Sequence, residues 1–293
     1  MKKKFNPFQL ILLVILVLYS LIMFALIAWG LLTSLKHNSD FLLKKNFFGL
    51  PEKVEWQNYA DVLNNFDIKV NRGTEELFIG MDLQILYTLL YVGVCAFLSA
   101  SIPLIVSYAA SRFKYKFNAV LNGIVVITMI LPIVGSQPSM MSLLHSLNVY
   151  DNFLGIYLQK FNFTTIYFLI YTGVLAKVPT SFSEAAKIDG ADNFTIMFKV
   201  ILPLVLNVYG TVFLIFFITY WNDYQTPLLY MPTHPTLAYG VWYLTFNTAA
   251  STGLNVVPKK MAGCMMLVVP VLILFLIFKD KLMSNLSAGG VKE

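Results

Sequence analysis

The chain has 293 residues, of which 58% are hydrophobic and only 12% are charged, and its mean hydropathy is +0.70. Because soluble domains carry about 25% charged residues, this composition excludes disorder, a nucleic-acid-binding domain and an ordinary cytosolic enzyme. The net charge of +6 needs no polyanionic partner in a membrane protein, since Lys and Arg accumulate beside the cytoplasmic ends of spans. Cys95 and Cys264 lie in apolar runs and are interpreted as small buried hydrophobic residues.

Six segments are apolar enough to be predicted as membrane-spanning helices, each of which needs about 20 mostly apolar residues. They cover about 8–35, 83–110, 119–144, 164–179, 204–229 and 261–279. The fourth is short because Lys177 and Pro179 close it, and the fifth ends where Trp221-Asn222-Asp223 interrupts an aromatic run. We therefore predict an all-α, polytopic membrane protein formed by a single domain over residues 1–293.

The first segment begins with Lys2, Lys3 and Lys4, so a cleaved signal peptide is an alternative interpretation. Its apolar stretch of about 26 residues is too long for the 7–15 residues of a signal core, and no small-x-small cleavage site follows it. We interpret the segment as a retained anchor helix. The mass of the mature protein distinguishes the two interpretations.

The distribution of Lys and Arg predicts the orientation. If the N-terminus is cytoplasmic, six spans place the C-terminus in the cytoplasm as well. The inner side then carries 12 basic and 5 acidic residues, a net +7, and the outer side 9 basic and 10 acidic, a net −1. The short loop Arg112-Phe113-Lys114-Tyr115-Lys116 contains no acidic residue and gives the clearest indication.

The spans leave three outer loops, at about 36–82, 145–163 and 232–260. The mixed charge and scattered aromatic residues of 36–82 indicate a partly folded loop resting on the membrane domain, and 145–163 is interpreted as a short surface element. On the inner side we expect a loop over 180–203 and a tail over 280–293.

The inner loop 180–203 has the pattern of two short helices. Ser183 or Ser181 is predicted to cap the first helix, whose first turn carries Glu184 beside the positive end of the helix dipole. Gly190 is predicted to end that helix.

Asp192 or Asn193 is predicted to cap the second helix, which covers Phe194 to Val200, and Pro203 stands just before the fifth span. Two amphipathic helices joined at a glycine on the cytoplasmic face indicate a docking element for a soluble partner.

The spacing Glu184-Ala185-Ala186, three residues, Gly190, nine residues, Val200-x-Leu202-Pro203 resembles the EAA loop of bacterial ABC importer permeases, E-A-A-x3-G-x9-I-x-L-P. Its one departure is Val200, where isoleucine is usual. Ile188-Asp189-Gly190-Ala191 resembles the I-D-G-A form of the carbohydrate-importer branch.

Two further stretches resemble that branch. Trp221-Asn222-Asp223-Tyr224 with Pro227-Leu228 is similar to its W-N-D-F-x-x-P-L run. The C-terminal Leu286–Lys292 resembles the G-L-x-x-G-A-V-K tail of maltose-permease G-type subunits, with Gly290 in place of the usual alanine. The resemblance covers essentially the whole chain and implies the type I ABC importer permease fold.

The resemblance also implies partners and coupling residues. In the family, the loop helix lies in a cleft of the ATP-hydrolysing subunit and moves with it. The implied coupling residues are Glu184, Ala185, Ala186, Asp189, Gly190, Leu202 and Pro203. For Glu184 alone, a solvated glutamate at a helix start is the alternative.

The implied partners are a homologous second permease, two copies of a cytoplasmic ATPase and an extracytoplasmic solute-binding protein. The binding protein is expected on the loops after spans three and five. The tail from about Lys281 is expected to reach the ATPase dimer.

Polar residues inside spans are costly and usually face a cavity or a partner. The candidates for a substrate path are Asn122, Gln137, Asn207, Tyr220, Trp221, Asn222 and Asp223. The run Tyr220–Asp223 combines polar groups with an aromatic face, as sugar binding requires. The alternative is that this run caps the helix end, belongs to the interfacial aromatic belt or packs against the partner permease.

The sequence contains no P-loop pattern G-x4-G-K-[ST] and no catalytic constellation. We expect no enzymatic activity, cofactor or metal in this chain, with ATP and Mg on the partner ATPase. The prediction is a permease subunit of an ATP-driven carbohydrate importer, preferably for an oligosaccharide, in a bacterial cell membrane, contacting lipid and no nucleic acid. The alternatives are an ABC importer for another solute such as glycerol phosphate, an ion-coupled secondary transporter and a membrane-embedded enzyme.

Overall fold

The structure, a computed structural model, describes residues 7–113, 115, 117–131, 135–246 and 253–287, without the side chains of Arg72 and 280–287. These residues form α-helices, two π-helical segments and one two-stranded hairpin. The α-helices are α1 Pro7–Ser34, α2 Gln57–Asn65, α3 Met81–Arg112, α4 Phe117–Ile130, α5 Ser136–Ser146, α6 Phe153–Gln159, α7 Ile166–Ala176, α8 Ser181–Ile188, α9 Asn193–Thr195, α10 Leu202–Trp221, α11 Gln225–Tyr230, α12 Leu237–Phe246 and α13 Val257–Ser287. The π-helical segments are Ser39–Leu43 and Ile196–Ile201, and the strands are β1 Asp67–Arg72 and β2 Glu75–Gly80.

Several of these helices have the length and hydropathy of membrane spans. Four stretches qualify, namely Pro7–Ser34, Met81–Arg112, Asn193–Trp221 and Val257–Lys279. The shorter apolar helices α4 and α7 lie where the third and fourth spans are predicted. The prediction of a largely helical chain with several helices long and apolar enough to span a membrane is thus confirmed. The count of six spans and the inward termini stay predictions, and Lys114 and Lys116 of the orienting loop lie outside the described residues.

The predicted third span, about 119–144, is not one continuous helix among the described residues. The chain instead forms α4 and α5, and Gly135 before α5 has a φ of +76°. A left-handed residue cannot continue an α-helix, and the residue before Pro132 is itself biased away from helical angles. Each half-helix, at about 21 and 17 Å, is shorter than the roughly 30 Å hydrocarbon core.

The predicted separation of the second loop helix from the fifth span is also wrong. The helix that begins at Asn193 passes through the π-helical segment Ile196–Ile201 into α10 without a break. Pro203 has no N–H to donate to the carbonyl four residues earlier. Pro203 is the second residue of α10, directly after the π-helical segment, and the helix continues through it. The interruption after Trp221 is as predicted.

One compact unit comprises Met1–Lys69, Leu77–Asp82 and Gly240–Pro270. It holds most of the predicted outer loop 36–82, which folds into the first π-helical segment, α2 and parts of the hairpin. Its helices approach closely at two glycines. A Cβ on Gly263 would lie 2.9 Å from Leu244 Cδ2, and a Cβ on Gly30 would lie 3.0 Å from Met265 Cε.

The other unit comprises Val70–Glu76, Leu83–Tyr239 and Val271–Glu293. Its core is formed by α3, α7, the second π-helical segment and α10, and it includes the buried Leu104, Tyr171, Ile196, Ile201 and Val212. The helix α13 continues past the predicted end of the sixth span to Ser287. Residues 288–293, the end of the predicted tail, lie outside the described residues.

Candidate functional site

The predicted coupling loop, residues 180–203, begins with α8. None of the residues of α8 is fully buried. The predicted cap by Ser181 or Ser183 is wrong, because both lie inside the helix and Thr180 holds the N-cap position without a side-chain cap bond. Thr180 has φ −66° and ψ −25°, helical angles that do not give the extended backbone of a capping side chain. The backbone N–H groups of Ser183 and Glu184 donate instead to the Thr180 carbonyl, at 2.9 and 3.0 Å.

Gly190 ends α8 as predicted. Its φ is +82°, and a Cβ added there would have no neighbour within 4 Å. The position therefore favours glycine for its backbone angle and not for space. The N–H of Ala191 donates to the carbonyl of Ala186 at 2.9 Å and closes the turn.

Asp192 caps the following helix as predicted. Its backbone is extended, and Oδ1 accepts from the Thr195 N–H at 3.1 Å. The hydrogen bonds from Thr195 hold the pKa of the Asp192 carboxyl below its ordinary value. This cap fixes the start of the long helix Asn193–Trp221 beside the glycine turn.

The coupling loop has a packed base and an exposed tip. Ala186 and Ala191 pack against the buried core of their unit, and Ile196 is itself part of that core. Ile188 and Phe194, on either side of the glycine turn, are 86% and 76% exposed. The loop therefore presents apolar side chains, together with the exposed Glu184 on α8, on a base that packs against the core.

Arg112 lies at the end of α3 and contacts the chain just before α8. Its Nη2 donates to the carbonyl of Val178 at 2.9 Å and to that of Leu175 at 3.4 Å. A cavity of about 130 Å³ is lined by Arg112, Tyr108, Glu184 and Lys187, among others. Sequence reasoning counted Arg112 only as a topology signal. The sequence does mark this residue as unusual, because Arg72 and Arg112 are the only arginines among 21 basic residues.

The run Tyr220–Asp223 connects helices inside its unit. The Tyr91 hydroxyl donates to Asp223 Oδ2 at 2.7 Å, and the hydroxyls of Tyr220 and Ser99 are 2.8 Å apart. Asp223 Oδ1 also accepts from the Thr226 N–H at 3.0 Å, where α11 begins. This part of the predicted substrate path is a hydrogen-bonded junction between α3 and α10.

A half-buried lysine lies beside this junction. Lys160 Nζ lies 4.6 Å from the centre of the Tyr220 ring. Burial lowers the pKa of the Lys160 ammonium, while the negative charge of Asp223 acts in the opposite sense. Neither Lys160 nor Tyr91 was predicted as a site residue, because each is distant in sequence from 220–223 and no motif includes it.

The other substrate-path candidates are distributed over several helices. Asn122 on α4 donates to the Asn118 carbonyl at 3.0 Å, and Asn222 donates to the Ile218 carbonyl at 2.9 Å. The backbone carbonyl of Gln137 on α5 accepts from the Tyr230 hydroxyl at 3.5 Å. Trp221 is buried. Asn207 lies on α10 beside an apolar groove of about 390 Å³.

Two predicted outer loops are bonded to each other. Asp151 has φ +56°, and its two carboxylate oxygens accept from the Thr233 N–H at 3.0 Å and the Thr233 hydroxyl at 2.7 Å. His234 Nδ1 lies 3.5 Å from Asp151 Oδ1, and its ring packs against Tyr87 and Phe153. These are the loops after the predicted spans three and five.

Comparisons with known proteins give the same assignment. A solved structure of a bacterial ABC transporter involved in the import of the acidic polysaccharide alginate matches 95% of this chain and 99% of its own, with a TM-score of 0.76 and 19% identity. That likeness shows the ABC importer permease fold. The arabinooligosaccharides transport system permease protein AraQ of Bacillus subtilis is 23% identical over 99% of this chain and 98% of its own. The melibiose/raffinose/stachyose import permease protein MelC of the same organism is 24% identical over 89% of each chain.

The family model of the binding-protein-dependent transport system inner membrane components matches residues 101–286. The match includes the coupling loop, the junction at Tyr220–Asp223 and most of α13. It covers more than half of the chain. The chain therefore belongs to the family of binding-protein-dependent transport system inner membrane components, and is a multi-pass membrane protein that serves transport.

Proposed function

We propose that the chain is a permease subunit of an ATP-driven importer for carbohydrate, with an oligosaccharide as the transported solute. The relatives named for sugar import, AraQ and MelC among them, support the solute class. The single structural observation that carries the proposal is the coupling loop, which has an exposed tip on a packed base and continues into a long apolar helix.

The proposed ATPase contact is the exposed surface of the coupling loop. Glu184 and Ala185 lie on the outer surface of α8, and Ala186 packs inward. Asp189 and Gly190 form the turn at its end, where the exposed Ile188 offers an apolar contact for a cleft in a soluble subunit. The sequence has no P-loop of its own, so ATP and Mg would be bound by two copies of that partner.

The proposed transmission path is the helix Asn193–Trp221. Leu202 and Pro203 stand where the π-helical segment passes into α10, so they belong to the same helix as the capped start beside Gly190. A movement of the partner ATPase would reach the junction with α3 through this one helix. The tail over 280–293 is proposed as a second contact with the ATPase dimer.

The outer loops joined by Asp151 and Thr233 are the proposed docking surface for a solute-binding protein. A homologous second permease would complete the pathway through the membrane. The run Tyr220–Asp223 supports a positioning function better than direct sugar contact, because Tyr220 and Asp223 are bonded to residues of α3.

The test is transport by the complete complex. The chain is purified with its co-expressed partners, reconstituted into vesicles, and assayed for ATP hydrolysis and solute uptake with the binding protein and a panel of oligosaccharides. We expect hydrolysis to rise with both the binding protein and one sugar class. Uptake that persists without ATP would instead indicate an ion-coupled secondary transporter.

Another transported solute is the main rival within the same class. A relative is the sulfoquinovosyl glycerol transport system permease protein SmoH of Agrobacterium fabrum, 24% identical over 90% of this chain and 87% of its own. Calorimetric titration of the cognate binding protein with neutral oligosaccharides, anionic sugars and glycerol phosphate separates these solutes.

A further inference from the structure

The segment after the first span, residues 42–56, exposes apolar side chains. Leu43, Phe48, Leu50 and Trp56 are between 68% and 86% exposed. A contiguous exposed apolar patch on a folded chain marks a site of protein or membrane interaction. The question is which of these two environments covers the segment.

Two polar side chains that precede the segment are buried and bonded to it. Lys36 is fully buried, and its Nζ donates to the Asn46 carbonyl at 2.6 Å. The buried carboxylate of Asp40 accepts from Asn46 Nδ2 at 3.0 Å and from the Glu52 N–H at 3.2 Å. The segment itself exposes Lys44, Lys45, Glu52 and Lys53 beside its apolar side chains, the mixed character of a chain at a membrane–water interface, where long charged side chains reach the water. The bonds from Lys36 and to Asp40 satisfy the Asn46 carbonyl and the Glu52 N–H within the protein, which lowers the cost of placing these groups near lipid.

A hydrogen bond fixes the depth of the segment. Trp29 Nε1 donates to the Phe47 carbonyl at 2.8 Å. Trp29 precedes Ser34, the last residue of α1, by five positions, which is about 7.5 Å along a helix axis. Helical side chains also tilt towards the N-terminus of their helix, which here is the direction of the bilayer. The segment therefore turns back beside the span and does not extend away from its end.

The ion pair of the segment and the return of its chain to α1 are consistent with a position beside the first span. Lys44 and Glu52 form a close ion pair, which lowers the cost of carrying either charge near lipid. The Glu55 N–H donates to the Leu35 carbonyl at 2.9 Å and returns the chain to the end of α1. The surface of α1 beside it is itself exposed and apolar, with none of its most apolar stretch buried.

We propose that residues 42–56 form a re-entrant interfacial segment that inserts Leu43, Phe48 and Leu50 into the lipid leaflet at the C-terminal end of α1. The proposal holds for either orientation of the chain, since it refers only to that end of the helix. It goes beyond the proposed function and is independent of the transported solute. The segment would fix the depth of the first span at the level of the aromatic belt.

The test measures what touches single side chains in the complete complex. Cys95 and Cys264 are first replaced by alanine. Nitroxide labels are then attached to Leu43→Cys and Phe48→Cys, with Leu18→Cys in the middle of α1 as the lipid reference and Lys53→Cys on the same segment as the water reference. The complex with its partner subunits is reconstituted in phosphatidylethanolamine and phosphatidylglycerol vesicles. Collision rates with oxygen, which partitions into lipid, and with a water-soluble nickel chelate are compared.

We expect the collision rate with oxygen to exceed that with the nickel chelate several-fold at Leu43→Cys and Phe48→Cys, as at Leu18→Cys. At Lys53→Cys the collision rate with the nickel chelate should be the higher one. Addition of the solute-binding protein should change neither ratio. Dominant nickel collisions at both positions would overturn the proposal in favour of an aqueous surface. Labels reached by neither reagent would overturn it in favour of a protein interface. Two labelled positions keep the test decisive if one variant fails to assemble.

Discussion

Arg112 Nη2 donates to the backbone carbonyl of Val178 at 2.9 Å. The bond joins the last residue of α3 to the chain three residues before α8, where the coupling loop begins. A displacement of α8 therefore acts directly on the end of the second predicted span. The same Nη2 also lies 3.4 Å from the Leu175 carbonyl, so one nitrogen at the end of a long side chain bonds both carbonyls.

Replacement of this arginine should uncouple the loop from α3. Arg112→Gln removes the donor to Val178 and Leu175, and the loss of bonds from a charged donor costs about 1.5–3 kcal/mol of stability. We expect lower thermal stability and reduced binding-protein-stimulated ATP hydrolysis in the reconstituted complex. Arg112→Lys keeps the charge, but its ammonium ends one bond short of the position of Nη2, so it should recover little. A lysine variant indistinguishable from the wild type would show that charge alone matters.

The glycine turn gives a second prediction. Gly190→Ala forces a left-handed conformation on a residue with a Cβ, at a cost of about 1–2 kcal/mol. We expect stimulated ATP hydrolysis to fall while the complex still assembles in the membrane. Gly173→Ala in α7 is the matched control, because a Cβ there also meets no neighbour within 4 Å and the residue is helical. Equal effects of the two variants would contradict a specific requirement at the turn.

The third prediction concerns Glu184, the exposed carboxylate of α8. Glu184→Gln keeps the size of the side chain and removes its charge, so the helix should remain intact while the proposed contact with the ATPase weakens. The expected result is normal assembly with a lower rate of transport-coupled hydrolysis. Lys187→Gln on the same helix serves as the control for a charge change. Unaltered hydrolysis in Glu184→Gln would leave only the solvated-glutamate interpretation.

A fourth prediction concerns pH. Hydrogen bonds from Lys259 and Gln57 hold the pKa of Asp61 below its ordinary value of 3.8, and Lys259 Nζ lies 2.8 Å from its carboxylate. Because the pKa is lower in the folded state, the stabilisation is present above the unfolded value and is lost as the pH falls through the folded one. Asp61→Asn should therefore lower the melting temperature at neutral pH.

That difference from the wild type should close below about pH 4. Melting curves of the purified complex between neutral and acidic pH provide the measurement. Asp67→Asn, at an exposed carboxylate on β1, is the control and should have little effect at any pH. If the melting temperature of Asp61→Asn stays below that of the wild type in acid, the ion pair is not the source of the difference.

The junction at the end of α10 gives the last prediction. Tyr91→Phe removes one hydrogen bond to Asp223, which costs about 1–3 kcal/mol if a buried acceptor is left unsatisfied. We expect lower stability with an unchanged concentration of sugar at half-maximal transport. Tyr220→Phe, which removes the bond to Ser99, should behave in the same way. A large change in the half-maximal concentration would indicate that this cluster contacts the solute.

The turn of the coupling loop was predictable because its causes are local. Gly190 has a backbone angle that favours glycine, and the Asp192 carboxylate bonds three residues ahead. Contacts between distant segments were not predictable. Arg112 reaches Val178 across 66 positions, and Tyr91 reaches Asp223 across 132. No spacing rule connects such pairs.

Two helix boundaries differ from those that the sequence suggests, in opposite directions. Pro203 suggested the start of a span, but it lies inside a helix that begins at Asn193 and continues to Trp221. The apolar run 119–144 suggested one span, but Gly135 adopts a left-handed angle before α5. Composition measures how apolar a segment is. It does not locate the residues at which its helix begins or ends.

The unbroken helix from Asn193 to Trp221 has a geometric consequence. Its 29 residues extend for about 43 Å, so a tilt of 10° about one end shifts the other by about 7.5 Å. No break in the helix separates its two ends. A small rotation imposed beside Gly190 would be amplified into a displacement close to the diameter of a sugar ring by the time it reaches Trp221.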